Sequence, residues 1–265
     1  MFRNKLSCFL FFYLLTSYTF SDAKKAIVIG ATSGIGREVA KQITQDGYEV
    51  GIVGRRMELL KTFQQEFPST FIKQIDVTSE NAQTQLLELI EEMGGLDLIV
   101  ISISAYHATN NLTPHEANKL ILNIDLLGFY AMAEVAIAFF EQQKSGHIVG
   151  ISSIDGLRGN ALCPVYSGAK AFVSTYLEGI RNQMLQNKIP VYVTNIYPGW
   201  VDVEHTKFSE MPGTYWVTPL QKAGKQIYNA IKKKKKRAYV SKRWRIIAWL
   251  LALTPDWIYN KIGGF

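Results

Sequence analysis

Tyr166 and Lys170 are the two residues of this chain whose types and spacing most directly suggest chemistry. Side chains four residues apart on a helix lie one above the other on the same face. A lysine ammonium beside a phenol favours the phenolate, because a nearby opposite charge stabilises the ionised form. The spacing therefore predicts a tyrosine whose pKa lies below its ordinary value of about 10, within reach of general acid–base chemistry. Such a pair also occurs as ordinary surface packing, so its interpretation depends on the motifs around it.

A glycine-rich segment, Gly30-Ala31-Thr32-Ser33-Gly34-Ile35-Gly36, follows the first strand-like run and opens the first helical pattern. Glycines permit a tight turn and let the backbone approach a pyrophosphate, which then rests on the helix N-terminus. The segment therefore predicts a dinucleotide site. Its expected cofactor contacts are Gly30, Thr32, Ser33, Gly34, Ile35 and Gly36.

The ends of the second and third strand-like runs add two further cofactor predictions. An acidic residue usually holds the ribose of a cofactor without a 2′-phosphate, but this chain has Gly54-Arg55-Arg56 there. Guanidinium groups suit a phosphate, so we expect NADP(H) rather than NAD(H), with Arg55 as its contact. Alternatively the arginines, Arg56 above all, simply begin the next helix on the surface. Asp76 and Val77 are expected near the adenine ring, although Asp76 also suits a helix N-cap.

Strand-like and helical patterns alternate from residue 25 onward. The predicted strands are 26–29, 50–53, 71–75, 98–101, 147–151 and 191–196, and the predicted helices are 34–46, 56–66, 79–93, 115–143 and 164–187. Strands this continuously apolar are typical of sheets covered by helices on both faces. The alternation predicts an α/β fold, a doubly wound parallel sheet of the Rossmann type in a single domain. Ligands of such sheets bind at the carboxyl ends of the strands, where the motifs above fall.

The composition is that of a globular protein without a nucleic-acid-binding face. The 265 residues are 48% apolar, which suits one domain with a sizeable core. Nine of the 29 basic residues lie between Lys232 and Arg245, and the other 20 nearly balance the 22 acidic ones. We therefore expect a local basic collar and no nucleic-acid partner.

Cysteine and histidine positions predict neither a disulfide framework nor a metal site. Cys8 and Cys163 are the only cysteines, and Cys8 lies in the N-terminal segment ahead of the predicted domain. The four histidines lack metal-ligand spacing. They are His107, His115, His147 and His205.

Both ends of the chain are candidate membrane contacts. Arg3 and Lys5 precede an apolar run of fifteen residues, 6–20, shorter than the roughly 20 residues of a membrane span. We expect segment 1–21 to be a signal peptide or a membrane anchor, or else an extension without a role. Residues 242–265 are expected to form a basic, aromatic helix that suits an anionic membrane surface, or that packs on the body or another subunit. Residues 22–241 form the predicted domain.

Ser153 stands thirteen residues before Tyr166, and with it the motifs resemble the short-chain dehydrogenase/reductase family over residues 25–203. The glycine segment, Asp76-Val77, Ser153, the Tyr166/Lys170 pair and 197–199 come in the family's order and spacing. The resemblance implies Tyr166 as general acid/base, Ser153 as the residue that orients the substrate oxygen, and Lys170 as the holder of the nicotinamide ribose. It also implies a nicotinamide pocket. Its expected lining residues are Pro198, Gly199 and Val201.

Three positions depart from the family's pattern. Ser102-Ile103-Ser104 stands where an Asn-Asn-Ala-Gly loop is usual, which implies altered packing rather than lost binding. Asp125 stands where a helix asparagine usually anchors a water of the proton relay; it can accept from a water, but its charge would perturb the relay. Asn123, two residues away, would face another direction. Val203 replaces a threonine that often helps hold the cofactor amide.

The expected function is an oxidoreductase that moves a hydride between NADP(H) and a carbonyl or secondary alcohol. The alternative, motivated by Asp125, is a cofactor-binding sensor or interaction protein with impaired turnover. The loop 200–219 predicts an apolar or aromatic substrate, unless its aromatic residues form a lid or an oligomer contact. The resemblance implies a homodimer or homotetramer through helices 115–143 and 164–187. Nicotinamide recycling implies a place on the cytoplasmic side of a membrane, whereas a true secretion signal would contradict it.

Overall fold

The structure is a computed structural model that describes residues 23–106, 112–204 and 206–262. The predictions for segment 1–21, for Cys8, His107 and His205, and for residues 263–265 lie outside these ranges.

A parallel sheet with the order β3-β2-β1-β4-β5-β6-β7 forms the centre of the described chain. The strands are β1 Lys25–Ile29, β2 Glu49–Gly54, β3 Phe71–Gln74, β4 Leu98–Ile101, β5 Gly146–Ile151, β6 Val191–Pro198 and β7 Arg237–Val240. The helices are α1 Gly34–Gln45, α2 Met57–Glu66, α3 Ala82–Glu92, α4 Pro114–Ile121, α5 Phe129–Gln143, α6 Pro164–Gln186, α7 Leu220–Lys232, α8 Trp244–Leu253 and α9 Asp256–Ile262. The predicted doubly wound α/β fold is confirmed.

Alternate residues of the strands feed two separate apolar cores, one on each face of the sheet. Ile27 and Ile29 of β1 pack on the face covered by α3, α5 and α6, whereas Ala26 and Val28 pack on the face covered by α1, α2 and α7. This alternation follows from the two-residue period of a strand. The winding direction reverses between β1 and β4, so a crevice opens beyond their carboxyl ends.

The predicted helix 115–143 is confirmed but contains a change of helical geometry. A capping box between Thr113 and Glu116 starts α4, and a π-helical segment, Leu122–Gly128, joins α4 to α5. Such π segments are rare and often occur at functional sites. Among the described residues, Pro114–Gln143 is the one helical stretch long and apolar enough to cross a membrane, and it is half buried against the sheet as a core helix.

Strand β7 was not predicted, and it corrects the expectation of a single basic collar. Its residues pair in parallel with β6, from Asn195 opposite Arg237 to Pro198 opposite Val240. Lys232–Lys236 precede β7 and lie at the amino ends of the strands, whereas Lys242, Arg243 and Arg245 follow it at the carboxyl ends. The cations therefore form two groups at opposite edges of the sheet.

The C-terminal helices fold back onto the carboxyl edge of the sheet. Trp244, Leu251 and Tyr259 are buried in a small apolar cluster with Ile154 and Tyr197. Of the alternatives for the C-terminal segment, packing on the body is therefore observed for the face of α8 that carries Trp244 and Leu251.

Candidate active site

A cavity of about 540 Å³ opens at the carboxyl ends of β1, β4, β5 and β6. It gathers most of the residues predicted from the sequence. Its walls include Gly30, Thr32, Ser33, Gly34, Ile35, Gly36, Arg55, Val77, Ser153, Tyr166, Lys170, Pro198, Gly199 and Val201. Neither Asp76 nor Asp125 is among its lining residues.

Strand β5 and helix α6 hold Ser153, Tyr166 and Lys170 in place. Ser153 follows β5 and caps a short 3₁₀ turn, where its Oγ accepts from the backbone N–H of Asp155 at 3.2 Å. Ser152, its neighbour, donates from Oγ to the carbonyl oxygen of Lys170 at 2.8 Å and so ties the strand end to α6. Tyr166 and Lys170 lie one turn apart on α6, with Lys170 Nζ 5.6 Å from the centre of the Tyr166 ring. The predicted side-by-side arrangement is confirmed.

Lys170 forms a buried ion pair with Asp125. Its Nζ lies 2.9 Å from Asp125 Oδ1, and the two residues are 2% and 1% exposed. Nζ also donates to the carbonyl oxygens of Ile103 at 3.2 Å and Ile151 at 3.4 Å. Lys170 Nζ thus has three oxygen neighbours within the chain, one in the ion pair and two carbonyl oxygens. Asp125 pairs directly with the lysine, a contact that the sequence did not predict; the sequence suggested only that Asp125 accepts from a water of the proton relay.

The pKa of Tyr166 is raised well above its ordinary value, which contradicts the sequence-based prediction of a lowered pKa. Burial is the largest cause, followed by the negative charges of Asp125 and Asp155, and a hydrogen bond with Ser153 opposes them. The prediction was wrong because burial disfavours the phenolate, and because the ammonium of Lys170 is already paired with the carboxylate of Asp125. The phenol of Tyr166 is consequently protonated at neutral pH.

The backbone of the loop after β4 forms hydrogen bonds with both members of this ion pair. The backbone N–H of Ala105 donates to Asp125 Oδ2 at 2.6 Å, and Ile103 accepts from Lys170. Beneath the loop lies Gly30, whose φ is +84° and where a Cβ would stand 2.1 Å from the carbonyl oxygen of Ser102. Only glycine fits this close approach. The backbone of the loop after β4 therefore lies directly against the glycine-rich segment.

The two arginines after β2 differ in their surroundings. Arg56 Nη2 donates to Thr32 Oγ1 and to Ser33 Oγ, both at 2.7 Å, so its guanidinium lies across the glycine-rich segment. Arg56 is the N-cap of α2, as the helix-start interpretation expected, and its side chain also binds the glycine-rich segment. Arg55 is exposed and lines the cavity.

A carboxylate occupies the N-terminus of α1. Glu204, from the loop after β6, accepts from the backbone N–H of Gly34 at 2.9 Å and lines the cavity. An N–H at this position attracts anions through its own dipole and that of the helix. The contact demonstrates that the glycine-rich turn presents a donor to an anionic group.

The two residues expected near the adenine ring differ in their surroundings. Val77 lines the cavity, whereas Asp76 Oδ1 accepts from the backbone N–H of Thr78 at 3.0 Å and from its hydroxyl at 2.8 Å. The N-cap of α3 is Asn81, so Asp76 closes a turn rather than starting that helix.

The far end of the cavity is aromatic. Trp200, Phe208 and Trp244 line it, and the rings of Trp200 and Trp244 pack edge to face with centroids 5.4 Å apart. Gly199 lies against Trp244, since a Cβ there would stand 2.0 Å from its Cε2. Helix α8 thus contributes a wall to the cavity.

Comparison with known proteins identifies the family. The family model described as short chain dehydrogenase matches residues 24–211. An uncharacterized oxidoreductase of Myxococcus xanthus is 33% identical over 195 residues, covering 71% of this chain and 76% of the relative. An uncharacterized oxidoreductase of Staphylococcus aureus is 30% identical over 188 residues, covering 69% and 80%. The chain belongs to the short-chain dehydrogenase family.

Solved structures agree on the fold of this short-chain dehydrogenase. ElxO with NADP bound superposes with a TM-score of 0.69 at 22% identity, covering 82% of this chain and 96% of that one. The closed form of serine dehydrogenase complexed with NADP+ superposes with a TM-score of 0.66 at 23% identity, covering 78% and 88%.

Several cavity residues of this short-chain dehydrogenase were not singled out from the sequence as site residues. Among them are Asp155, Glu204, Trp244 and Tyr106, whose ring centre lies 4.7 Å from that of Tyr166. Asp155 follows Ser153 by two residues, so a capped turn after β5 was the available signal. The other three come from distant segments, and no local pattern indicates where they meet. Among the described residues no cluster of three histidine, cysteine or acidic side chains could hold a metal ion.

Proposed function

We propose that this short-chain dehydrogenase is an NADP(H)-dependent oxidoreductase that acts on a carbonyl or secondary alcohol. The observation that carries the proposal is one cavity that joins Ser153, Tyr166 and Lys170 to the glycine-rich N-terminus of α1. A proton donor and a phosphate-type site in one crevice are the two parts that hydride chemistry needs.

The residues at the α1 end fit a phosphorylated dinucleotide. The backbone N–H of Gly34 already donates to the Glu204 carboxylate, and a pyrophosphate oxygen suits the same donor. Arg56 is fixed over Thr32 and Ser33, which leaves the exposed Arg55 to contact a 2′-phosphate. Pro198, Gly199 and Val201 line the opposite part of the cavity, which suits a nicotinamide.

The raised pKa of Tyr166 favours a role as general acid in carbonyl reduction. When bound, NADPH supplies the hydride. Tyr166, protonated at neutral pH, donates its proton to the oxygen of the substrate as that oxygen gains charge. Ser153 Oγ, on the same wall, orients that oxygen by a hydrogen bond.

Lys170 can hold the nicotinamide ribose, its role in the family, only if the ribose replaces one of its present partners. Its Nζ is already ion-paired with Asp125 and donates to two carbonyl oxygens. The contact with Ile151, at 3.4 Å, is the longest of the three. We expect a ribose hydroxyl to replace it, because the weakest hydrogen bond costs least to break.

Turnover tests the enzymatic proposal. Oxidation of NADPH is followed across a panel of aldehydes and ketones with the wild-type protein and Tyr166→Phe. We expect kcat to fall by about 10²- to 10⁴-fold in the variant with NADPH affinity kept. Tyr192→Phe, which removes a hydroxyl from a half-exposed tyrosine of β6, serves as the matched control. Equal turnover by wild type and Tyr166→Phe would refute the role of this phenol.

Cofactor preference is tested by direct titration. NADPH is expected to bind more tightly than NADH, and Arg55→Asp to abolish or reverse that preference, because a carboxylate repels the 2′-phosphate and accepts from a ribose. Lys61→Asp on the exposed face of α2 introduces the same charge change away from the cavity. Equal affinities of the wild-type protein for the two cofactors would exclude the NADP(H) assignment.

A cofactor-binding sensor is the second candidate, and the Asp125–Lys170 ion pair favours it. Together with burial, the negative charge of Asp125 raises the pKa of Tyr166 and so slows any step that needs the phenolate. A sensor would bind NADPH tightly, turn over no member of the panel and be unaffected by Tyr166→Phe.

The aromatic end of the cavity supports an apolar substrate. Trp200, Phe208 and Leu162 line it, and Trp244 adds a buried Nε1–H without a hydrogen-bond partner among the described residues. Such a donor suits a second polar atom on an otherwise apolar ligand. The aromatic residues Tyr215 and Trp216 pack on Trp244, which supports the lid interpretation for them.

Assembly and location complete the proposal. We propose a homodimer or homotetramer through α5 and α6, where Tyr130 and Leu185 are exposed, with Leu127 of the preceding π-helical segment exposed beside them. We also propose a place on the cytoplasmic side, where NADPH is recycled. Light scattering at several protein concentrations tests the first, and a single-chain mass throughout would exclude it.

A further inference from the structure

Helices α8 and α9 present an apolar surface to solvent on the side turned away from the cavity. On α8, Ile246, Trp249, Leu250 and Leu253 are 58%, 62%, 48% and 61% exposed, and Trp257 of α9 is 66% exposed. The four α8 positions follow the i, i+3, i+4, i+7 spacing of one helix face. We call these five residues the outer face.

The opposite side of α8 is apolar as well. Trp244, Ala248 and Leu251 are buried against the body of the protein. A helix that is apolar all round is expected in a core or in contact with lipid. Contiguous exposed apolar surface of this kind marks an interaction site.

Cations border the outer face. Lys242, Arg243 and Arg245 are exposed at the start of α8, and Lys261 lies with its Nζ 5.8 Å from the centre of the Trp257 ring. The one carboxylate of the two helices, Asp256, is paired with Arg158 at 2.8 Å. The border is therefore positively charged.

We propose that the outer face docks on the surface of an anionic lipid bilayer. Tryptophans and leucines that enter the headgroup boundary, with cations beside them, form the usual combination in helices lying in a membrane interface. Each cation near such a surface adds electrostatic attraction, which salt screens.

Two other occupants of the outer face are a second copy of the chain and the apolar segment 6–20, and charge and topology argue against both. In a symmetric dimer the outer face of one copy would contact that of the other, so the cations of the two copies would repel one another. The apolar segment 6–20 is itself preceded by Arg3 and Lys5, and it enters the described chain ahead of β1, at the amino edge of the parallel sheet. The outer face follows β7, at the carboxyl edge.

Fluorescence quenching by brominated lipids tests the proposal on the full-length protein. Residues 1–22 contain no tryptophan, so quenching reports on the folded body even if that segment binds lipid. We expect strong quenching by brominated phosphatidylcholine vesicles containing phosphatidylglycerol, and much less without it. Added salt should weaken the quenching, since the Debye length falls from about 10 Å at 0.1 M to about 3 Å at 1 M.

Two pairs of variants locate the contact. Trp249→Phe/Trp257→Phe should lose most of the quenching, whereas Trp216→Phe, which removes a partly exposed tryptophan of the substrate loop, should keep it. Lys242→Gln/Arg243→Gln/Arg245→Gln should weaken vesicle affinity by about 100-fold, because three cations at about 1 kcal/mol each contribute about 3 kcal/mol. Lys233→Gln/Lys235→Gln/Lys236→Gln removes the same charge at the other edge of the sheet and should leave the quenching almost unchanged.

Several outcomes would overturn the proposal. They are absent quenching in the wild-type protein, equal quenching with neutral vesicles, quenching that survives loss of both outer-face tryptophans, and equal effects of the two charge variants. Bound NADPH or an unchanged unfolding temperature shows that each variant is folded. Dissociation of an oligomer by Trp249→Phe/Trp257→Phe, without lipid contact in the wild type, would assign the outer face to a second copy instead.

Discussion

At the scale of single residues, Asp125 is the side chain that affects the charges of both Lys170 and Tyr166. It cancels the charge of Lys170 and adds a negative charge that, with burial and Asp155, disfavours the phenolate of Tyr166. A lysine beside a tyrosine lowers the pKa of the phenol only while its own charge is uncompensated. The arrangement therefore suits proton donation by Tyr166 better than proton abstraction.

Replacing Asp125 by Asn should lower the pKa of Tyr166. The amide keeps an acceptor for the N–H of Ala105 but removes the charge that opposes the phenolate, and the ammonium of Lys170 then favours it. We expect the pH profile of alcohol oxidation to move to lower pH by about one unit or more. Asp46→Asn, which changes an exposed carboxylate at the other sheet edge, is the control.

The same variant should also lose stability. Breaking a buried ion pair costs about 3–5 kcal/mol, because the remaining charge stays buried. Denaturant unfolding measures this cost. An Asp125→Asn protein with an unchanged pH profile would show that this carboxylate does not govern Tyr166.

At the scale of elements, the loop after β6 connects the two ends of the cavity. It carries Trp200 at the aromatic end and Glu204 at the N-terminus of α1. At the proposed cofactor site, the carboxylate and a cofactor phosphate would compete for the same N–H.

Glu204→Gln should therefore tighten cofactor binding. Removing one negative charge at a helix N-terminus relieves repulsion of about 0.3–1 kcal/mol, so NADPH should bind about two- to fivefold more tightly. Glu210→Gln makes the same change on an exposed residue of the same loop and should have little effect. Weaker binding by Glu204→Gln would mean that Glu204 supports the site instead of competing for it.

Strand β5 carries a buried histidine that makes stability depend on pH. His147 hydrogen-bonds Thr194 at 2.8 Å, and burial, with Lys234 as a smaller cause, lowers its pKa from 6.5 to about 4. The unfolded chain therefore binds a proton below pH 6.5 that the folded chain binds only near pH 4. Stability is complete above pH 6.5 and decreases as the pH falls through this window.

The expected loss is up to about 3 kcal/mol between these two pH values. His147→Gln, which can keep the bond to Thr194, should flatten that part of the curve measured by urea unfolding. His115→Gln, at an exposed position of α4, should leave the slope as it is. An equal slope in all three proteins would contradict a buried, neutral His147.

At the scale of the whole molecule, Arg158 fastens the C-terminal helices to the site. Its Nη1 donates to the carbonyl oxygens of Leu251 at 3.1 Å and Thr254 at 2.8 Å, and its guanidinium lies 4.3 Å from the centre of the Tyr259 ring. Arg158 thus holds in place the two helices that carry both the outer face and Trp244 of the cavity wall.

Arg158→Ala should loosen that unit. We expect a loss of about 2 kcal/mol or more in the free energy of unfolding, because two charge-assisted hydrogen bonds disappear, and faster hydrogen exchange in α8 and α9. Asp256→Asn should cost about 1 kcal/mol or less, since that carboxylate is 89% exposed. Unchanged exchange in the Arg158→Ala protein would show that apolar packing alone holds the helices.

The sequence by itself determined the sheet, its winding and the cavity motifs. Apolar periodicity, the glycine segment and the Tyr166/Lys170 spacing are local signals, and each acts through residues close together in the chain. Strand β7 was not predicted from the sequence, because it is a short edge strand whose first residue ends a run of cations. Only the tertiary structure decided the charge state of the site, since Asp125 meets Lys170, and Glu204 meets Gly34, across long stretches of chain. A pKa depends on every charge and on the solvent around the group, and those neighbours are fixed by folding.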